Sequence, residues 1–496
     1  MAQALREASR HEEASIKAAE ILDGENEGSP IAPWHSILDH FQAIAVNVMT
    51  LKGLRGLCLF DEQGAGKTVM ALAAFDTLRE SGEIDAMIVV CPKSMMKEWS
   101  EEIQRFIPGK YKITIVEGDA EERHKRALKS VDIFIVNFES MPGLSVALQG
   151  TAGSRRTLLV IDESYYVKNP EAMRSEAIRV LRRQCVRGLV LCGTPAPNNA
   201  TDLVHQFDVA DNGYTFAGFR LSGDISKDRP KIAEVMTDRG VFIRRLKHKI
   251  LPDLPEKQFE IVPVVLAGRQ AQLYQEARES LVLWLRGMDN KAFQKNLTDY
   301  FARRQVLLQI CVCPNAVDPL FVETPAKLYV LDDLLEDLIS KENRKVILWS
   351  YYRQSLDDAA TRYEKFGLVR VDGTTPGSAR RDAIRSFQTE EAVKIFLGNP
   401  AAAGAGITLH AAADAVYLSY PSQAAHYLQS LDRIHRRGQT ALEVRYHLLI
   451  CKDTIEDVEV RRLRRKEIEQ HDILGDEVQR PSSIDKALAE ILGETG

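Results

Sequence analysis

None of the seven cysteines is paired in a CxxC spacing, and only Cys311 and Cys313 stand close together. No disulfide framework and no structural zinc site are therefore expected, and the thiols are expected to stay reduced. No apolar run approaches the ~18 residues that a membrane-spanning helix needs, so no contact with a membrane is expected. The N-terminus carries charges throughout and lacks the apolar core of a secretory signal. An excess of positive charge is missing too: 65 Lys and Arg face 70 Asp and Glu, a formal net charge of -5. This excludes a chain-wide pull on nucleic acid, so any DNA contact must come from local basic patches. The 45% hydrophobic and 27% charged residues are those of an ordinary soluble protein. At 496 residues the chain is too long for one core, and two or three domains are expected. These features together suggest a cytosolic, multi-domain α/β protein.

What the chain does have is a phosphate cradle. Gly56-Leu57-Cys58-Leu59-Phe60 reads as a buried strand, and Val69 to Phe75 reads as a helix. Between them lies Asp61-Glu62-Gln63-Gly64-Ala65-Gly66-Lys67-Thr68. A strand, a Gly-containing turn and a helix N-terminus aim backbone N–H groups and the helix dipole at an anion. In this arrangement Gly64 and Gly66 line the cradle, Lys67 reaches the β/γ-phosphates, and the Thr68 hydroxyl holds Mg²⁺. The strict pattern has Gly where Asp61 stands. Upstream, Gln42 offers an amide donor and acceptor that suit one adenine edge.

Further apolar runs read as strands: 86–92, 133–138, 158–161 and 188–192, with helical patterns between them. Such alternation means a parallel, doubly wound sheet, whose sites lie beyond the carboxyl ends of the strands. The run at 158–161 ends in Asp162-Glu163, and paired carboxylates there are costly unless they act. Asp162 is placed to hold Mg²⁺ through water, and Glu163 to polarise an attacking water. Residues 1–30 read as a helix followed by an acidic linker, with no chemistry assigned.

Asp-Glu-Gln-Gly-Ala-Gly-Lys-Thr, Asp162-Glu163-Ser164-Tyr165 with Lys168-Asn169, and Gly193-Thr194-Pro195 with Asn198-Asn199 resemble motifs I, II and III of the Swi/Snf-type DNA translocases. These are ATPases of helicase superfamily two. Lys93-Ser94 near Trp99 resembles motif Ia, and Gln42 the adenine-reading Gln motif. Phe242 to Lys247 and Leu251 to Lys257 resemble the bridge from the first lobe. Val371-Asp372-Gly373-Thr374 with Arg380-Arg381 is similar to motif IVa, and Gly404 to Leu409 to motif V. Gln429 to Gln439 is close to motif VI and is the most specific of these signatures. The segment Thr454 to Gln470, with Arg461-Arg462 and Arg464-Arg465-Lys466, resembles a brace helix. The resemblance covers roughly residues 36–470.

It implies two RecA-like lobes: 31–255 as the ATP-binding lobe and 323–453 as the second. Residues 256–322 would be a helical protrusion and linker, and 454–496 a brace helix and tail. It implies ATP and Mg²⁺ as cofactors, with Gly406 also at the nucleotide. Arg433 and Arg436, three apart and so on one face of a helix, would act as arginine fingers. Ser94, Lys168, Asn169, Gly373, Thr374 and Gly404 would contact DNA phosphates. The basic runs at 244–249 and 461–466 are either part of that grip or solvated faces. The expected activity is that of an ATP-driven double-stranded DNA translocase that remodels or clears protein–DNA complexes. The alternatives are a fork-acting annealing or strand-separating helicase, to whose compact branch the length and motif V are similar, and a nucleotide-gated DNA-binding scaffold. A protein partner supplying specificity is expected, with a cytoplasmic or nucleoid-associated location, nuclear in a eukaryote. The chain departs from the family at Tyr165, where His is usual, and at Pro197, where Gln is usual. It departs again at Ala401 and Ala403, in place of Arg and Gly, and at Ser422, in place of Trp. No accessory zinc finger, chromodomain-like or bromodomain-like segment is seen.

Overall fold

The computed structural model describes residues 2–24, 34–193, 195, 201–251, 253–401, 407–421 and 424–468. The chain divides into two units, Met1–Pro252 and Asp253–Glu469. In the first, seven strands form one sheet: β1 (Gly56–Leu59), β2 (Ala86–Cys91), β3 (Ile113–Ile115), β4 (Ile133–Asn137), β5 (Thr157–Asp162), β6 (Arg187–Leu191) and β7 (Phe242–Ile243). Their order is β3-β4-β2-β5-β6-β1-β7. Every pairing is parallel, and Asp162 and Leu59 both stand level with Leu191.

Both faces of this sheet are covered. Cys58, Ile88, Val90, Phe134, Val136, Leu159 and Ile161 turn into one core. The alternate residues Leu57, Leu59, Met87, Val89, Leu158 and Val160 are equally buried. Burial on both faces is why these strands read as unbroken apolar runs, and each such side chain contributes about 1.5–3 kcal/mol. The two strands without such a run lie at the edges: β3 has three residues and β7 two. The N-terminal helix, Ala2–Gly24, docks on this unit. Its His11 Nδ1 accepts the Arg55 N–H at 3.2 Å, and Glu7 pairs with Arg55 at 3.4 Å. The acidic linker that follows lies outside the described residues.

The second unit carries a six-stranded parallel sheet: β8 (Glu256–Val264), β9 (Val346–Trp349), β10 (Leu368–Val371), β11 (Ile395–Gly398), β12 (Asp414–Tyr417) and β13 (Glu443–Cys451), in the order β10-β11-β9-β12-β13-β8. Successive residues alternate between two cores, Val346 and Leu348 to one, Ile347 and Trp349 to the other. The fold class is thus the expected one, two parallel α/β sheets with helices.

The segment 256–322 differs from the helical expectation at its start. Its first nine residues form β8, paired with β13 from Glu256 opposite Glu443 to Val264 opposite Cys451. An edge strand buries little, and only Val264 is buried here, so the periodicity carried no signal. The helices Gly268–Arg286 and Leu297–Val312 do form. They do not stand apart: Leu281, Leu285, Tyr300 and Leu307 share a core with Val346, Leu348, Ile395 and Leu397. The C-terminal helix is Ile455–Ile468. Its Glu459 pairs with the nearly buried Arg304 at 2.6 Å, and its Leu463 joins the other core.

Candidate active site

Parallel strands put all their carboxyl ends on one edge. In the first unit that edge carries the phosphate loop after β1, Lys93-Ser94 after β2, Glu163 after β5 and Gly193 after β6. The loop turns at Gly64 and Gly66, whose φ angles are +87° and +83°. Gly66 caps the helix Lys67–Glu80, and a Cβ on it would lie 2.5 Å from Gln42 Nε2. Only glycine leaves this cradle open. Lys67 is buried at the first helical position, with its Nζ donating to Asp61 O at 2.9 Å and Glu62 O at 3.2 Å. It makes no ion pair among the described residues. Thr68 follows on the first turn.

Gln42 reaches this loop, but its amide is already engaged. Its Nε2 donates to Ala65 O at 2.9 Å, and its Oε1 accepts the Asp39 N–H at 3.0 Å in a capping box. It therefore ties the helix His40–Thr50 to the phosphate loop, and each end keeps one further hydrogen-bonding position.

Asp61, where the strict pattern has Gly, is fully buried and occupied. It accepts the Arg245 backbone N–H at 2.9 Å and the Arg245 guanidinium through Nε at 3.1 and 3.2 Å and through Nη2. Arg245 also lies over the Phe41 ring at 4.8 Å. Arg244 donates to Phe60 O and to Gly193 O, and burial pulls its guanidinium below the ordinary value. The start of the basic run 244–249 is thus turned inward as a clamp on the loops after β1 and β6. It is neither a solvated face nor a free phosphate grip.

Asp162 ends β5 with both oxygens held, Oδ2 by the Trp99 indole N–H at 2.8 Å and Oδ1 by the Glu163 N–H at 2.9 Å. Burial pushes its carboxyl above the usual carboxylate range, against the opposing pull of Trp99 and Lys67. Glu163 is buried and takes a left-handed backbone, φ 56° and ψ 56°. Gln63 Nε2 donates to its Oε1 at 3.1 Å. Ser164 donates to Gln206 Oε1, and Gln206 Nε2 donates to Pro195 O at 2.6 Å and Asp202 O at 2.7 Å. Sequence reasoning left Arg244 and Arg245 open between a phosphate grip and a solvated face, and gave no role to Trp99, Gln63 or Gln206. Their only sequence signal is proximity to a motif, for Gln63 membership of the phosphate loop itself.

In the second unit the helix Ala424–Leu431 ends before Arg433. Arg433 and Arg436 are therefore not on a helix face, contrary to the spacing argument. The Arg433 carbonyl accepts the Leu409 N–H at 3.0 Å, so it is not available to continue a helix. The two side chains nevertheless converge, since both donate to Ile407 O, at 3.1 and 3.2 Å. Gly404 and Gly406, like Ala403, Pro197, Asn198, Asn199 and Ser422, lie outside the described residues.

The candidate DNA contacts fall on the strand-end loops of the unit that carries each. Ser94 is exposed in a short turn. Lys168 pairs with Asp202 at 3.4 Å, and Asn169 Oδ1 accepts the Glu171 N–H at 3.0 Å. Gly373 and Thr374 follow β10, with Thr374 turned back on Asp372 Oδ1 through its N–H at 2.9 Å and its hydroxyl at 2.7 Å. Among the described residues no helix is long and apolar enough to cross a membrane.

The residues of the first unit fit a nucleotide with Mg²⁺. The open cradle at Gly66 suits a phosphate, Lys67 brings a buried cation, and the Thr68 and Asp162 oxygens are donors for a hard metal.

Residues 41–315 match the SNF2-related domain, and residues 326–438 match the helicase conserved C-terminal domain. The chain belongs to the SNF2-related family, which with that second domain forms the DNA-dependent ATPase class of helicase superfamily two. A Caenorhabditis elegans protein, the SWI/SNF-related matrix-associated actin-dependent regulator of chromatin subfamily A-like protein 1 homolog, is 27% identical over 423 residues, 81% of this chain and 57% of its own. The Bos taurus DNA annealing helicase and endonuclease ZRANB3 is 24% identical over 437 residues, 83% of this chain and 38% of its own. Among solved structures, the Sulfolobus solfataricus SWI2/SNF2 ATPase core in complex with dsDNA is 22% identical. It aligns over 91% of this chain and 96% of its own, at a TM-score of 0.40. The chain spans about half the length of the first curated relatives it matches.

Proposed function

We propose that this chain is an ATP-driven double-stranded DNA translocase that remodels or clears protein–DNA complexes. The observation that carries the reading is the meeting of Lys67, Asp162 and Glu163 at one sheet edge, in a chain whose second half matches a helicase C-terminal domain. In this reading Lys67 binds the β/γ-phosphates, Gly64 and Gly66 cradle them, and Gln42 uses its remaining amide capacity at the adenine. Thr68 and Asp162 would hold Mg²⁺, which would supply positive charge against the charge of the phosphates. Glu163 polarises the attacking water. Arg433 and Arg436 serve as arginine fingers, and Gly406 lies along the nucleotide. Ser94, Lys168, Asn169, Gly373, Thr374 and Gly404 grip phosphates of a duplex. A partner protein supplies the specificity that phosphate contacts lack.

The test is ATP turnover by the purified protein with blunt duplex DNA and with RNA of equal length, at several salt concentrations. Turnover is expected to rise more with duplex DNA, to show little sequence preference, and to lose its stimulation steeply with salt as counterion release weakens binding. Displacement of a third strand from a triplex, without separation of the blunt duplex, is expected. An ATPase indifferent to duplex DNA at low and moderate salt would overturn an autonomous translocase. The likeness to a protein named as a DNA annealing helicase supports a second reading, action on forks or bubbles. Annealing of complementary strands without triplex displacement would favour it.

A further inference from the structure

We propose that Gln63 is the positioning residue that holds the Glu163 carboxylate in place for hydrolysis. This rests on the ATPase reading above, and names how its water-activating group is aimed.

The Glu163 backbone is fixed from both sides. Its N–H is tied to Asp162 Oδ1 at 2.9 Å, and its left-handed conformation is one that a non-glycine residue adopts only when its surroundings impose it. The next residue, Ser164, is fully buried and anchored through Gln206 to Pro195 O. The side chain adds three torsions of its own. Gln63 restrains it, because its Nε2 donates to Glu163 Oε1 at 3.1 Å.

Gln63 is in turn fitted to a third loop. A Cβ on Gly193 would lie 2.8 Å from both Cγ and Nε2 of Gln63. The amide therefore crosses the Gly193 backbone where only glycine leaves room. Loops after β1, β5 and β6 meet at this one side chain. An amide suits the task chemically. It donates to a carboxylate and orients it, yet carries no charge to neutralise it, so Glu163 remains an acceptor for the proton of an attacking water.

Two variants test this. Gln63→Met keeps an unbranched chain of similar length and removes the donor. Gly193→Ala displaces the amide sterically at a position without positive φ and without touching Glu163. Single-turnover hydrolysis at saturating ATP is expected to fall about ten- to a hundredfold in each, the scale of a hydrogen bond to a charged group. Binding of a non-hydrolysable ATP analogue is expected to stay within about threefold, because the interaction acts on the reacting water and not on ground-state binding. In a Glu163→Gln background, Gln63→Met is expected to add nothing to the residual rate, since it acts only through Glu163.

Parental hydrolysis by folded Gln63→Met and Gly193→Ala proteins would overturn the proposal. So would a rate loss matched by an equal loss of analogue binding, or a loss that multiplies in the Glu163→Gln background. If Gln63→Met fails to fold, Gly193→Ala carries the same three readouts. Failure of the underlying reading is distinguishable: there Glu163→Gln itself would hydrolyse ATP at the parental rate.

Discussion

Replacing Arg245 by Met should destabilise the first unit by about 3 kcal/mol, with about 5 kcal/mol as the upper limit. Asp61 is fully buried, and apart from one backbone N–H its recorded partners are all on the Arg245 guanidinium. Breaking a buried pair by removing one partner leaves an uncompensated charge, and this dominates the loss. The contact with Phe41 at 4.8 Å adds about 0.5–1 kcal/mol. Met keeps much of the apolar packing, and the Arg245 side chain is 19% exposed, which places the estimate at the low end. Arg245→Met with Asp61→Asn removes the uncompensated charge of this pair, and should recover all but about 1 kcal/mol. Urea unfolding followed by tryptophan fluorescence reads this directly. Trp34 and Trp99 are buried in the first unit, and changing Trp284 and Trp349 to Phe silences the second. The midpoint should fall by roughly 1 M or more, given slopes of about 1–3 kcal/mol/M. An unchanged midpoint in Arg245→Met, or a double variant no more stable than the single one, would refute the reasoning.

Lys67→Ala should abolish ATP hydrolysis, whereas Glu163→Gln should bind a nucleotide analogue within a few-fold of the parent and lose about 10²–10⁴ in turnover; filter binding and phosphate release separate the two. Arg433→Ala and Arg436→Ala should leave analogue binding within a few-fold and lower turnover by about 10³ or more, so parental turnover would remove the finger assignment. Burial and the neighbouring Arg55 hold the His11 imidazole down to about 4. Its folded value lies below the unfolded value of about 6.5, so its contribution is constant above about pH 6.5 and is lost as pH falls toward 4, at up to about 1.4 kcal/mol per pH unit. His11→Gln should show a shallower acid loss in urea midpoints between pH 7 and 4.5, and equal slopes would remove His11 as a cause.

The phosphate loop was legible because its parts are contiguous: strand, glycines, lysine and helix lie within residues 56–80. The strands were legible where two helical layers cover the sheet, as at β1, β2, β4, β5 and β6. They were silent where a strand is short or lies at an edge, as at β3, β7 and β8. What holds the site was not legible, because it joins residues far apart in the chain. Trp99 and Asp162 are 63 positions apart, Gln63 and Glu163 100, and Asp61 and Arg245 184. Spacing also misled at Arg433 and Arg436. A three-residue interval implies a shared face only on a helix, and here a turn brings both guanidinium groups to the Ile407 carbonyl instead.

Two departures, Asp61 from the strict phosphate-loop pattern and Tyr165 from the family pattern, come with local replacements. Asp61 in a glycine position is matched by Arg245, without which a carboxylate could not be buried beside the loop. Tyr165, in a histidine position, packs against Tyr166 with centroids 4.8 Å apart. Tyr166 stacks flat on Phe138 at 4.9 Å, with the Arg174 guanidinium 5.6 Å from the centre of the Tyr166 ring. Tyr165, two residues after Glu163, thus joins an aromatic stack that links the ends of β4 and β5. The hydrogen-bonded link toward the loop after β6 runs through the neighbouring Ser164 and Gln206 to the Pro195 carbonyl. Because Ser164 and Gln206 are both fully buried, this link is shielded from competing water, and a shift of the loop at 193–195 would be felt at Glu163 through one residue of backbone. The same loop passes close to Gln63 at Gly193, where a Cβ would meet its Cγ and Nε2 at 2.8 Å, so both the backbone and the carboxylate of Glu163 have a neighbour tied to that loop.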